Sequence, residues 1–281
     1  MSDLSGGQSA VGGQQAPARG GRTLLALQRQ TAILEHVRTH GGVRVAQLVR
    51  RFGVSDMTIR RDLEALAKRG LIAKVHGGAT AIVPHTTDEP GFAAKSKQRQ
   101  FEKEAIAAQA ARLVEPGTAV GISAGTTTWR LAPRLVDVPD LTIVTNSIPV
   151  ADVFYRAGRA DQTVILTGGM RTPSDALVGP FAVATIRSLN FDQIFLGVHG
   201  MSQRGLTTPN VMEAGTQRAL LDCARQRIVL ADHTKWDALG LSTICPLSDV
   251  DILITDDGLE AEAGGLLAAE VGELVVVPVP R

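Results

Sequence analysis

The stretch VSDMTIRRDLEALAKRG, residues 54–70, predicts a helix with two different faces. Its apolar side chains recur at helical spacing and would bury one stripe of the helix against a core: Ile59, Leu63 and Leu66. Ser55 can cap the start of this helix. Arg60 and Arg61 lie on the opposite face, where they form either a solvated charged surface or a contact to a negatively charged partner. The sequence around the helix decides between these alternatives.

Two further helices are predicted before this one. LLALQRQTAILEHVRTHG, residues 24–41, predicts an amphipathic helix that ends at a glycine, and VAQLVRRFG, residues 45–53, predicts a shorter helix that also ends at a glycine. The turn between the second and third helices, residues 53–55, is too short for antiparallel packing. The pattern therefore predicts a helix-turn-helix whose last helix is presented outward.

A helix presented in this way can enter the major groove of DNA. Arg60 and Arg61 would reach phosphates or the O6 and N7 acceptors of guanine, while three neighbouring side chains would lie near the floor of the groove. These neighbours are Ser55, Met57 and Thr58. GLIAKVHGGA, residues 70–79, predicts two short extended runs around a Gly-Gly turn, which together form a β-wing. Lys74 and His76 of this wing can lie along the DNA backbone, although His76 can equally be a structural turn residue.

The charge distribution indicates a nucleic-acid partner for the first part of the chain only. The 281 residues, 44% of them hydrophobic, suffice for one large or two ordinary domains and carry a net charge of +1. Residues 22–80 hold 11 Lys and Arg against 4 Asp and Glu, a net charge of +7, whereas residues 81–281 hold 17 against 23, a net charge of −6. Residues 1–21 are rich in Gly, Gln, Ser and Ala and predict a disordered tail. A basic module joined to an acidic one indicates that the first part meets a polyanion and the second does not.

Composition also argues against other classes of protein and site. No apolar run approaches the roughly 20 residues that span a bilayer, and the amino terminus lacks the features of a secretory signal. We therefore expect a cytoplasmic protein without a membrane partner. Cys223 and Cys245 are the only cysteines, and neither lies in a pair motif. We expect no disulfide framework, no metal site and no cofactor.

VSDMTIRRDLEALAKRGLIAKVHGGA, residues 54–79, resembles the amino-terminal signature of the DeoR family of bacterial transcription regulators. That signature runs from Val-Ser through Thr-Ile-Arg-Arg-Asp-Leu to a basic residue followed by Val-His-Gly-Gly, and it is far more specific than a general helix-turn-helix pattern. The basic residue here is lysine, whereas arginine is more usual. The resemblance implies that Arg60 and Arg61 belong to a DNA-recognition helix and that Asp62 and Leu63 hold this helix in place.

A second domain is predicted to begin after residues 81–94, AIVPHTTDEPGFAA, which contain two prolines and predict a linker. In residues 95–281, apolar runs of strand length alternate with helical patterns. The runs are TAVGIS, LTIVT, TVILTGG, QIFLGV, RIVLAD and DILITDD. Because nearly continuous apolar strands occur in sheets covered on both faces, this domain is predicted to have an open α/β fold.

Small and polar residues follow these strands, at the edge of an open α/β sheet where ligands bind. The candidate ligand-binding residues are Ser123, Gly125, Thr126, Thr127, Thr128, Asn146, Ser147, Gly168, Gly169, His199, Asp232 and Lys235. SAGTTT, residues 123–128, offers backbone amides, hydroxyls and a positive helix end to a phosphate, and no Walker lysine follows it. Each loop alone is compatible with ordinary turn chemistry, but their shared position favours an anion site.

The order of these loops resembles the sensor domain of the DeoR family, which is similar in fold to pentose-phosphate isomerases and binds phosphorylated sugars or related metabolites. The resemblance covers about residues 22–257 and includes EKEAIAAQAARLV, AGTTT, VTNS, LTGGMR, LVGPFA, FLGVHG and LADHTK. It implies that Lys235 pairs with a phosphate or carboxylate and that Asn146 and Asp232 bind sugar hydroxyls. The alternative for Lys235 is an ordinary surface lysine. Ala124, where a more polar residue is often found, leaves the identity of the ligand open.

Three functions are compatible with these features. The sequence favours a transcription regulator, in particular a repressor, that binds double-stranded operator DNA and assembles as a homodimer or homotetramer. An isomerase on the same fold would need an added carboxylate base. Where such enzymes carry paired acidic residues, this chain has HGMS at residues 199–202, and Glu213 is the nearest carboxylate. The third function is a DNA-binding scaffold without a small-molecule ligand.

Overall fold

The computed structural model describes residues 26–80, 85–89 and 91–280, and the chain splits into two compact units. The first unit comprises Met1–Pro84 and the second His85–Arg281. The predicted disordered tail, residues 1–21, lies outside the described residues. Each unit has a hydrophobic core of its own.

The described part of the first unit is a winged helix-turn-helix. In chain order its elements are α1 (Ala26–His40), β1 (Gly42–Arg44), α2 (Val45–Phe52), α3 (Asp56–Lys68), β2 (Ala73–Val75) and β3 (Gly78–Thr80). The three strands form an antiparallel sheet with β3 in the middle. The predicted fold of this unit is confirmed. The sequence did not predict β1, because a strand of three residues between two helices is too short to show a recognisable pattern.

An apolar stripe and a buried ion pair hold α3 in place. The apolar side chains are buried in the core of this unit, as their spacing predicts: Ile59, Leu63 and Leu66. Asp62 lies on the same face and is only 3% exposed, and its Oδ2 accepts a hydrogen bond from Nε of Arg29 in α1 at 2.5 Å. Ser55 caps α3, because its Oγ accepts from the backbone N–H of Thr58 at 3.2 Å. These contacts determine which face of α3 is exposed.

The turn of the wing differs from the predicted Gly-Gly turn. Val75 pairs with Gly78 across the hairpin. The two turn residues are therefore His76 and Gly77, and Gly77 has a positive φ of 79°, which such two-residue turns favour. Gly78 belongs to β3, where a Cβ would lie 2.2 Å from the carbonyl oxygen of Val43 in β1. Gly78 is thus needed for the close approach of β1, a contact that the local sequence does not show.

The described part of the second unit alternates helices and strands. Its helices are α4 (Phe92–Lys95), α5 (Gln100–Ala111), α6 (Thr126–Leu135), α7 (Ile148–Ala157), α8 (Pro180–Arg187), α9 (Val211–Asp222) and α10 (Ala261–Glu270). Its strands are β4 (Ala119–Ile122), β5 (Thr142–Thr145), β6 (Thr163–Leu166), β7 (Met170–Arg171), β8 (Leu177–Val178), β9 (Phe191–Gly197), β10 (Gly200–Ser202), β11 (Gly205–Thr208), β12 (Ala224–Leu230), β13 (Ser242–Cys245), β14 (Ile252–Asp256) and β15 (Glu273–Val277). Two 3₁₀ turns are His233–Lys235 and Leu247–Asp249.

Seven strands form one parallel sheet in the order β15-β14-β12-β9-β4-β5-β6. Six of them coincide with the predicted apolar runs, and β15 was not predicted. Side chains from α5, α6 and α7 pack in one core cluster and side chains from α8, α9 and α10 in another, so both faces of the sheet are covered. The predicted α/β fold is confirmed.

Part of the predicted linker belongs to the second unit. Residues 85–89 and 91–94 fall in that unit, and Phe92–Lys95 forms α4. The rest of the predicted linker, residues 81–84 and 90, lies outside the described residues. A helix of a single turn is too short to show a periodic apolar pattern, which is why the sequence suggested a linker throughout.

Candidate functional site

One face of α3 carries the residues that the sequence predicts to contact DNA. The exposed side chains on this face are Ser55, Met57, Arg60 and Arg61. Thr58 is half-buried. The Nε of Arg60 donates a hydrogen bond to Oδ1 of Asp56 one turn earlier, and this bond raises the pKa of the guanidinium. The fold thus presents the predicted residues together at the surface of the first unit.

The wing presents two more of the predicted residues. Lys74 lies on β2 and His76 in the hairpin turn, and both side chains are exposed. The position of His76 in the turn agrees with the interpretation that it is a structural turn residue. Its imidazole is nevertheless exposed and therefore accessible to DNA. The geometry of the wing is therefore compatible with both roles of this histidine.

A cleft in the second unit lies near the carboxyl ends of the neighbouring strands β4 and β9. Five of the predicted ligand residues line it: Gly125, Thr126, Thr127, His199 and Lys235. Lys95, Ser174 and Glu213 also line it, although the sequence did not single them out as ligand residues. The cleft is formed entirely by the second unit.

The amino terminus of α6 forms one part of the cleft. This helix begins at Thr126, so the backbone N–H groups of its first turn have no acceptor within the helix. Thr126 and Thr127 are largely buried but border the cleft. At Gly125 a Cβ would lie 2.9 Å from Oγ1 of Thr128, so a side chain would crowd the start of the helix. The N–H groups of this first turn and the positive end of the helix dipole suit an anion.

Two lysines from different parts of the chain face this cleft. Lys235 lies at the end of the 3₁₀ turn after β12, and Lys95 lies at the end of α4. Burial lowers the pKa of Lys95 and the charge of Lys235 lowers it further, whereas Glu213 and Glu89 raise it. A bound anion would stabilise two ammonium groups that repel one another in this way.

His199 contributes a neutral imidazole to the cleft. Burial lowers its pKa to about 4, with smaller contributions from the charges of Lys95 and Lys235. Its Nδ1 is buried and has no hydrogen-bond partner among the described residues. A neutral ring with an unsatisfied nitrogen can form a hydrogen bond with a ligand hydroxyl.

Glu213, in the first turn of α9, supplies the opposite charge. Its Oε1 accepts hydrogen bonds from the hydroxyls of Thr172, at 2.8 Å, and Ser174. Its Oε2 accepts from the hydroxyl of Thr208 at 3.2 Å. Glu89 lies nearby, and burial together with the charge of Glu213 raises the pKa of Glu89. The cleft therefore suits a ligand that has both an anionic group and hydroxyl groups.

Ser123 and Thr128, both predicted ligand residues, form hydrogen bonds within the fold instead. The Oγ of Ser123 accepts from the backbone N–H of Gly197 at 2.9 Å and so joins the ends of β4 and β9. The Oγ1 of Thr128 donates to the carbonyl oxygen of Ser123 at 2.7 Å. Both side chains are fully buried and neither residue lines the cleft.

Asn146 and Ser147 are also used by the fold. The Oδ1 of Asn146 accepts from the backbone N–H of Ala124 at 2.8 Å, and its Nδ2 donates to the carbonyl oxygen of Leu177 at 3.1 Å. The Oγ of Ser147 caps α7 by accepting from the N–H of Val150 at 3.3 Å. Asn146 thus joins the loop after β4 to β8, and each polar atom of its side chain has a hydrogen-bond partner within the fold.

The remaining predicted residues outside the cleft lining are Gly168, Gly169 and Asp232. Gly169 has a φ of 116°, and a Cβ there would lie 2.5 Å from the carbonyl oxygen of Val178, so the close approach of β8 requires glycine. Asp232 is 1% exposed, and its Oδ1 accepts from the N–H of Thr234 at 3.1 Å. Asp232 therefore caps the 3₁₀ turn that carries Lys235.

Comparison with known proteins gives matches over both units. Residues 29–85 match the DeoR-like helix-turn-helix domain, and residues 98–257 match the DeoR C terminal sensor domain. The chain is 36% identical to an uncharacterized HTH-type transcriptional regulator, YgbI, of Escherichia coli (strain K12), over 90% of this chain and 98% of that protein. It is 33% identical to the lactose phosphotransferase system repressor of Staphylococcus aureus (strain NCTC 8325 / PS 47), over 82% of this chain and 91% of that protein.

A solved structure of ribose 5-phosphate isomerase A from Methanocaldococcus jannaschii is similar over 48% of this chain and 53% of that one, with a TM-score of 0.35 and 14% identity.

A winged helix-turn-helix followed by an α/β unit of this kind defines a two-domain DNA-binding transcription regulator. The chain belongs to the DeoR family, and the resemblance seen in its sequence is confirmed. The matched relatives are named as transcription regulators or repressors and not as enzymes, and as a member of this family the chain is a DNA-binding regulator. Within the described residues, no helix has the length and apolarity needed to span a membrane.

Proposed function

We propose that the chain is a repressor that releases operator DNA when a phosphorylated sugar or a related metabolite binds the cleft of the second unit. The observation that carries this proposal is the pair of lysines, Lys95 and Lys235, at a cleft that also contains the first turn of α6. The name of the lactose phosphotransferase repressor, a relative over most of its length, supports a role in sugar metabolism. The regulated genes would then be those that handle the bound metabolite.

In this proposal, operator DNA contacts the outer face of α3 and the wing. Arg60 and Arg61 contact phosphates or guanine edges, and Lys74 and His76 follow the backbone. The side chains near the base edges are Ser55, Met57 and Thr58. Because residues 22–80 carry a net charge of +7, operator affinity should fall steeply as salt concentration rises.

The phosphate of the ligand would bind at the first turn of α6. Thr126, Thr127 and the backbone at Gly125 surround it on one side, and Lys235 supplies a charge-assisted hydrogen bond. Glu213 would accept hydrogen bonds from hydroxyls of the sugar, and so would the hydroxyl oxygens of Ser174 and Thr208, whose own protons are donated to Glu213. The buried predicted residues, such as Asn146, would support these groups without contacting the ligand.

Thermal unfolding with a panel of metabolites tests the proposal. The panel contains ribose 5-phosphate, glucose 6-phosphate, galactose 6-phosphate and glycerol 3-phosphate, each paired with its unphosphorylated form. We expect at least one phosphorylated compound to raise the Tm and to weaken binding to an operator selected from random DNA duplexes, while its unphosphorylated partner does neither. If the panel changes neither the Tm nor operator affinity, the scaffold without a ligand becomes the better interpretation.

We also propose a homodimer or homotetramer that assembles through the second unit. One winged helix-turn-helix contacts too little DNA for tight specific binding, whereas paired modules would recognise two related half-sites. Light scattering of the purified chain at micromolar concentration should give a mass of two or four chains. A monomer under these conditions would contradict this part of the proposal.

A further inference from the structure

The connecting segment, which we define as residues 85–89 and 91–99, leads from the first unit into the second and is fastened to the second unit. Along residues 85–92, hydrogen bonds hold it at three places, two between backbone groups and one between side chains. They join Thr86 to Leu241 at 2.8 Å, Phe92 to Pro173 at 3.1 Å and Glu89 to Asn210 at 3.3 Å. The segment therefore contacts three separate parts of the second unit before its first long helix begins.

Part of this segment forms a wall of the ligand cleft. Phe92 and Lys95 of α4 line the cleft, and the ring of Phe92 contacts Trp129 of α6 edge to face, with 5.6 Å between the ring centroids. Any ligand that fills the cleft therefore lies against the chain that leads to the DNA-binding unit.

Lys103 of α5 holds the end of α4 in position. Its Nζ donates hydrogen bonds to the carbonyl oxygens of Lys95 and Gln98, both at 2.8 Å. Lys103 is only 3% exposed, and burial lowers the pKa of its amine to about 8. The backbone at Lys95 is thus positioned from inside the second unit.

We propose that the connecting segment transmits ligand binding to the first unit, and that Lys95 is the residue of this segment that binds the anion. An anion in the cleft would contact Lys235 on the 3₁₀ turn and Lys95 on the connecting segment at the same time. This inference rests on the proposed ligand site and adds the route by which occupation of that site reaches the DNA-binding unit.

Electrostatic interactions around Lys95 would supply the free energy that couples ligand binding to the connecting segment. Without an anion, Lys95 and Lys235 repel one another, and Glu89 and Glu213 form a second pair of like charges nearby. An anion between the two lysines adds two attractions that offset their repulsion, and so holds the segment more firmly. A ligand shifts operator binding only through such a difference between states, typically by about five- to 150-fold.

Lysine acetylation of the full chain tests the contact itself. The chain is treated with limiting N-hydroxysuccinimide acetate in sodium phosphate or in sodium chloride of equal ionic strength, and each lysine is quantified by mass spectrometry. We expect phosphate to slow acetylation of Lys95 and Lys235 but not of Lys97, an exposed lysine on the same segment. Protection of Lys235 without Lys95 would overturn this inference and leave the proposed site intact. Protection of neither lysine would overturn the site as well.

Operator binding tests the transmission. Lys95→Gln and the control Lys97→Gln remove the same charge from the same segment, and only the first removes a cleft residue. At saturating concentrations of the active panel compound, we expect Lys95→Gln to lose most of the change in operator Kd and Lys97→Gln to keep it. A Lys95→Gln protein that responds like the parent at saturation would show that the connecting segment is not the route.

Discussion

The two units use their predicted functional residues in different ways. In the first unit, the predicted DNA-contacting residues are exposed or half-buried on α3 and the wing. In the second unit, five of the predicted ligand residues line the cleft, whereas five others are buried and form hydrogen bonds within the fold: Ser123, Thr128, Asn146, Ser147 and Asp232. A polar residue on the outer face of a surface helix has few partners within the protein. A polar residue at the end of a buried strand is readily used to satisfy neighbouring backbone groups, so its chemistry alone does not reveal a ligand site.

The largest expected effect concerns the exposed arginines of α3 in the first unit. Replacing both Arg60 and Arg61 by alanine should weaken operator binding by about five- to 150-fold for each arginine, because each loses a phosphate or base contact. The Tm should stay unchanged, since both side chains are exposed. Fluorescence anisotropy and thermal unfolding measure the two quantities.

Arg156→Ala is the matched control for this variant. Arg156 is also an exposed helical arginine with an aspartate, Asp152, one turn earlier, but it lies in the second unit. It should bind the operator like the parent. Normal operator binding by the double variant at physiological salt would show that the outer face of α3 is not the contact surface.

The buried side of the same helix should behave differently. Asp62→Asn breaks a buried ion pair with Arg29, and such a loss costs about 3 to 5 kcal/mol. DNA binding should then be lost together with the folded structure of the first unit, in contrast to the arginine variant. Circular dichroism and thermal unfolding distinguish these outcomes, and a variant with parental Tm would contradict the structural role of Asp62.

In the second unit, a cleft residue and a buried residue provide the corresponding test. Lys235→Ala should weaken binding of the active sugar phosphate by roughly ten- to 100-fold with little change in Tm, because a charge-assisted hydrogen bond is lost. Asn146→Ala should instead lower stability by about 1 to 3 kcal/mol, because backbone groups at Ala124 and Leu177 lose their partner. Calorimetric titration and thermal unfolding should separate the two variants. If Asn146→Ala kept full stability but lost ligand affinity, the division between cleft and buried residues would be wrong.

The smallest effect concerns pH. The pKa of His199 falls from 6.5 to about 4 on folding, so between these values the unfolded chain binds the proton more readily than the folded one. The contribution of His199 to stability is therefore complete above the unfolded pKa and declines as pH is lowered through it. Relative to His199→Gln, the parent should lose about 1 kcal/mol of stability between about pH 7 and pH 5.5. Parallel stability profiles for the two proteins would contradict a neutral, buried imidazole.

Much of the fold could be predicted because local patterns report which side chains of one element share a face. The stripe of α3, its cap at Ser55 and six strands of the parallel sheet all follow from such patterns. The single-turn helix α4 and the approach of β1 to Gly78 do not, since the first is shorter than a period and the second depends on a neighbouring strand.

The sequence by itself determined the chemical character of the protein: a basic helix-turn-helix, an α/β domain and polar loops suited to an anion. Only the tertiary structure decided which of those polar groups face the cleft. Thr172 and Ser174 contact Glu213 although they precede it by 41 and 39 positions, and Lys95 reaches the cleft at the end of α4, a helix whose first three residues the sequence assigned to a linker. The physical reason is that a cleft at the end of a parallel sheet is assembled by crossover connections, so separation along the chain carries no information about proximity within it.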